Sequence, residues 1–250
     1  MDQIPSSEPI QESSFSQGSR PGVAGWFDVW KRALTQPNEQ TFIDITEDPN
    51  ASTKTAYIWV FIAGTVSGIA QAFLQGIYTA TGTTPTIPGL EEYMPASTGG
   101  DLTAGLITIL VSICLSPVAG GLSVLFFALW TALIQWIAKL FGGTGNYDKL
   151  LYAFAAISAP FTMIASIITL FNAIPFVGAC FGIVSFGLSI YVLVLQVFAV
   201  KGVNRLGTGQ AVGALLIPMA GMFIICCCVV FGTAMVLGPV IGSSFGQFAP

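Results

Sequence analysis

An all-α membrane protein, a bundle of five transmembrane helices preceded by a cytoplasmic amphipathic helix, is the fold class that three observations predict. Only 8% of the 250 residues are charged and 54% are hydrophobic, whereas an average soluble domain carries about 25% charged residues. Four runs, residues 55–90, 102–138, 150–200 and 206–250, contain no Asp, Glu, Lys or Arg, and a helix needs only about 20 apolar residues to cross a bilayer. The eight basic residues fall between or before these runs, which fixes the direction of each crossing.

Residues 1–21 are polar and include Asp2, Glu8 and Glu12. They lack the basic start and apolar stretch of a cleavable signal peptide, so a disordered cytoplasmic tail is expected and the first span acts as its own signal. Residues 22–54 form a cytoplasmic interfacial segment. There Trp26, Phe27, Trp30 and Leu34 recur at helical spacing, with Asp28, Lys31 and Arg32 on other faces. Two readings stay open. The helix lies in the headgroup layer, with Trp26, Phe27, Trp30, Lys31 and Arg32 touching lipid or a partner, or its aromatics dock on the spans. Pro37 ends it, and a second short pattern of Phe42 and Ile45 with Asp44, Glu47 and Asp48 runs to Pro49.

The membrane domain is expected over residues 55–238, with spans at about 55–80, 102–139, 149–170, 176–200 and 210–237. The run from 102 to 138 could hold one long helix or two broken at Pro117. One span puts Arg20, Lys31, Arg32, Lys54, Lys139, Lys149, Lys201 and Arg205 on the same side, as retention of basic residues in the cytoplasm requires. The run from 150 to 200 is long enough for two spans, and Phe171, Asn172, Ala173, Ile174 and Pro175 supply the turn between them. Gly238 and Pro239 are expected to stop the last helix before a short external tail at 239–250.

Helices in lipid associate by close packing at small residues, and Gly64, Gly68, Ala72 and Gly76 make a ridge of that kind along the first span. Gln71 and Gln75, four apart on one face, either bond to a neighbouring helix or line a polar path. The sequence has no His, which removes Ser-His-Asp and Cys-His nucleophile systems, HExxH metal sites and His proton relays together. No ionisable acid or base lies inside a span, so proton-coupled transport is disfavoured. The five Cys fall in no CxxC pattern. Cys226, Cys227 and Cys228 point about 100° apart in turn and do not converge on one ion. No cofactor and no metal is expected, and a chain of net charge −4 with eight basic residues offers nucleic acid no binding stripe.

Gly142, Gly143 and Gly145 make a turn on the cytoplasmic side, with Asp148 favouring the helix start that follows. That turn, then Leu150 and a span interrupted by Pro160, resembles the signature of the Yip family, five-span membrane proteins named for interaction with Ypt/Rab GTPases. Trp30, Arg32, Pro37 and Phe42 ahead of the first span resemble its bacterial members, and the Asp-Leu-Tyr-type motif of eukaryotic relatives is not seen. The resemblance implies a prokaryotic-type, non-catalytic scaffold or adaptor in the cell (inner) membrane, its N-terminus cytoplasmic and its C-terminus external. The lipid bilayer and a membrane-protein partner or second copy are the expected contacts. A passive channel or small-solute transporter, with Gln71 and Gln75 forming the path, is the alternative.

Overall fold

The computed structural model describes residues 22–82, 99–171, 174 and 177–246, and its elements are seven helices: α1 (Val23–Thr35), α2 (Glu39–Glu47), α3 (Thr53–Thr81), α4 (Leu102–Leu140), α5 (Tyr147–Leu170), α6 (Val177–Asn204) and α7 (Thr208–Gly246). Five of these, α3 to α7, are long and apolar enough to cross a membrane. The expected tail at 1–21, most of the loop after the first span, and Asn172, Ala173 and Pro175 of the expected turn lie outside the described residues.

Local chemistry explains three of the helix starts, those of α2, α3 and α4. Asn38 Oδ1 accepts from the Thr41 amide at 2.7 Å, Ser52 Oγ from Thr55 at 3.2 Å, and Asp101 Oδ1 from Thr103 at 2.8 Å. Each satisfies a donor that the first turn of a helix leaves without a partner. The segment at 22–54 becomes two helices because Pro37 has no amide hydrogen to continue α1. α3 stops at Gly82, whose φ of 68° is the left-handed cap that glycine adopts at least cost. The last helix differs from expectation: α7 runs through Gly238 and Pro239 to Gly246. Proline is tolerated inside membrane helices, where neighbouring groups satisfy the carbonyl it strands, so it need not stop one. Pro117, Pro160 and Pro218 likewise sit within α4, α5 and α7.

The spans form a bundle in which contacts run from α3 to α4, α7, α6, α5 and back to α3, α4 also touches α5 and α6, and α3 and α4 are in the most extensive contact. α1 rests on α5, and α2 rests on α5 and α6. α1 and α2 cover one end of the bundle, the capped end, and leave the opposite, far end uncovered by either. The core is concentrated at the capped end, where Phe42, Ile45, Trp59, Leu150, Leu151, Phe154, Leu195 and Val200 are all buried. Large apolar residues such as Leu110, Phe126, Ile183 and Phe223 are exposed on the spans, as lipid-facing side chains must be.

Candidate functional site

Two arrangements bring the sequence-selected residues together, a valley in the membrane face and a clasp at the capped end. The valley belongs to the small-residue ridge. A Cβ added to Gly68 would lie 3.1 Å from Ser116 Cβ, one on Gly76 would lie 3.0 Å from the Gly105 carbonyl, and one on Gly64 would overlap the Ser123 side chain. Ala72 is 2% exposed. The ridge therefore packs within the chain, against α4. Its counterpart on α4, where a Cβ on Gly105 would meet Ala80 and one on Gly120 would meet Phe61 and Thr65, was not singled out in the sequence, although small residues at 105, 112, 116, 120 and 123 carry the signal.

Beside this seam lies an open depression of about 530 Å³, lined by Ser67, Gln71 and Gln75 of α3, Ser112 and Ser116 of α4 and Thr162 of α5. Both Gln side chains are exposed and, among the described residues, neither carboxamide has a hydrogen-bond partner. Gln71 lies about 27 Å along α3 from its first residue, within the bilayer-crossing part of the helix.

The clasp explains the glycine turn. Gly142 has a φ of 88°, which excludes most side chains. The Gly143 amide donates to the Ala138 carbonyl at 2.9 Å, and the Thr144 amide to the Asn204 carbonyl at 3.1 Å. Gln135 Nε2 donates to the Gly145 carbonyl at 2.8 Å and to Asn204 Oδ1 at 2.9 Å. Asn204 is fully buried, and a Cβ on Gly145 would lie 2.6 Å from its Oδ1 and 2.5 Å from the Val203 carbonyl. The turn is thus shaped by close approach of the α6 terminus. Asp148 is exposed and accepts from Thr53 Oγ1 at 3.0 Å, tying the start of α5 to that of α3. Asn204 was missed in the sequence, where a single Asn beside Lys201 and Arg205 looks like an ordinary loop residue.

The aromatic face of α1 divides. Trp26 and Trp30 are half-buried and meet Trp59 edge-on, with ring centres 6.0 and 5.6 Å apart, and Trp59 in turn lies 5.1 Å from Tyr152. Such edge contacts between large rings contribute about 0.5–1.5 kcal/mol beyond the area they bury. Tyr191 Oη donates to the Leu34 carbonyl at 2.6 Å, which holds the end of α1 on α6. Arg32 pairs with Asp44 at 3.7 Å, while Lys149 pairs with Glu47 at 3.6 Å and Lys201 with Glu39 at 3.0 Å. Phe27, 62% exposed, and Lys31 remain on the outer surface.

A bundle of five apolar helices with polar groups on its membrane faces and a packed cap at one end defines a multi-pass helical membrane protein in contact with the bilayer. Residues 31–231 match the family model of the Yip1 domain, and the chain belongs to that family. The matched region takes in the clasp and the valley and leaves Trp26, Phe27 and Trp30 outside it. Neither a curated protein nor a solved structure matches the chain.

Proposed function

We propose that this protein is a non-catalytic, prokaryotic-type adaptor of the cell (inner) membrane, with its capped end in the cytoplasm and its C-terminus external, and that it binds other membrane proteins through the valley. The observation that supports this reading is the pair of exposed, unpartnered carboxamides at Gln71 and Gln75. A polar group without a partner in hydrocarbon costs several kcal/mol, and a helix presenting a hydroxyl or carboxamide would remove that cost. The cap supports the same reading, since Trp26, Trp30 and Arg32 are occupied within the chain and leave Phe27 and Lys31 for lipid or partner. The absence of His from the sequence favours a role other than acid–base catalysis.

A photoreactive residue at position 67, on the valley wall, tests the adaptor reading in native membranes. Defined adducts with another membrane protein are expected, and they are expected to disappear in a Gln71→Leu, Gln75→Leu variant that keeps its thermal unfolding profile. Adducts that persist in that variant would overturn the reading. The hydroxyls of Ser67, Ser112 and Thr162 are what a solute path would use, so flux into proteoliposomes that is lost in Gln71→Leu would replace the adaptor with a passive channel.

A further inference from the structure

The α3–α4 seam carries a second depression, nearer the capped end, of about 610 Å³. It is lined by Ile58 and Phe61 on α3 and by Gly121 and Val124 on α4, with Lys54 and Tyr57 toward the start of α3. No heavy atom lies within 4 Å of where a Gly121 Cβ would be, so the groove is open at that residue. Ile58 and Phe61 are both exposed into the groove, which has the size of ordinary ligand sites, about 300–1,000 Å³.

The end of the groove nearer the start of α3 carries a cation. Arg32, Lys149 and Lys201 each hold a carboxylate partner. Lys54, exposed in the first turn of α3, has none among the described residues, and neither have Lys31, Lys139 and Arg205, but of these four only Lys54 lines the groove. Asp148 is the acidic group tied to this end of α3, and one of its oxygens is engaged by the Thr53 hydroxyl. A cation above an apolar slot that opens sideways into lipid is complementary to an amphiphile with an anionic head and a hydrocarbon tail. We propose that this groove binds one anionic phospholipid from the leaflet on the capped side, its phosphate beside Lys54 and an acyl chain against Phe61, Gly121 and Val124. This goes beyond the adaptor reading and does not depend on it, because the groove and the valley lie on different parts of the seam.

Native mass spectrometry of the full chain in detergent micelles, with equimolar phosphatidylglycerol and phosphatidylcholine of matched acyl chains, tests the site. Phosphatidylglycerol is expected to be retained about five-fold over phosphatidylcholine, the effect of one lysine near an anionic headgroup. Lys54→Gln is expected to abolish that preference while leaving retention of both lipids. Gly121→Trp is expected to fill the slot and reduce retention of both. Gly221→Trp, on an α7 glycine whose Cβ position is equally open, is expected to leave retention as in the parent. Equal retention of the two headgroups, a preference that survives Lys54→Gln, or a Gly121→Trp effect no larger than that of Gly221→Trp would each overturn the assignment. Should Gly121→Trp fail to fold, Val124→Gln takes its place with the same expected loss.

Discussion

At the capped end, every residue of α5 from Leu150 to Ile157 is buried, and α6 contributes Leu195, Ala199, Val200 and Asn204 to the same interior. Toward the far end, α6 has no buried residue from 181 to 194 and α7 none from 219 to 229, among those whose side chains are described. The two regions are built from similar apolar residues, so composition does not separate them. What separates them is how deeply those residues are packed and tied. The capped end is tied by ion pairs from α2, by hydrogen bonds around Asn204 and by interlocked aromatic rings. Along the far half the spans meet through small residues and leave polar groups such as Gln71 facing outward. Stability is therefore concentrated at the capped end, and the exposed carboxamides of the valley lie in the other half.

Substitutions can break this contrast. Trp59→Ala has the largest expected effect, about 3 kcal/mol, because it empties the centre of the aromatic cluster. Reversible unfolding in micelles measures it, and a loss below about 1 kcal/mol would remove the capped end as the stability centre. Gly145→Val follows at about 2 kcal/mol, since its Cβ is forced against Asn204 and the Val203 carbonyl. A parallel loss of protection in hydrogen exchange at Thr144 would locate the damage. Gln135→Leu strands the Gly145 carbonyl and Asn204 Oδ1 and is expected to cost about 1–2 kcal/mol by the same unfolding measurement. Leu110→Ala, on a lipid-facing position in the far half of α4, is expected to shift stability by less than about 0.5 kcal/mol. A larger loss there would mean that the far half is more tightly built than its exposure suggests.

The five spans are legible in the sequence because charge is excluded from hydrocarbon so strongly that uncharged runs mark them, and the small-residue ridge is legible because its four-residue repeat needs only one helix to be seen. The destination of the α1 aromatics is not. Trp26 and Trp30 show the same period whether their stripe meets lipid or Trp59, and only the path of α3 decides. The clasp lay beyond reach for a different reason, since Gln135 and Asn204 are 69 residues apart and neither has a local pattern announcing the other. The glycines of the turn stood out, but the cause, an approaching helix end, is a tertiary fact. The stop expected at Gly238 and Pro239 treated proline as it behaves in water, where no neighbouring span relieves the lost bond.

The closure between Asn204 and the turn at Gly143 to Gly145 also has a meaning in time. During synthesis the turn leaves the ribosome well before Asn204 exists, an interval on the order of several seconds at about 5–20 residues per second. Until α6 is threaded, the Thr144 amide and the Gln135 side chain have no Asn204 to meet. The nascent protein therefore passes through a stage with its early spans inserted and their join unlocked, and arrival of the fourth span completes it. A chain truncated before residue 204 would stall at that stage and present the open turn to quality control.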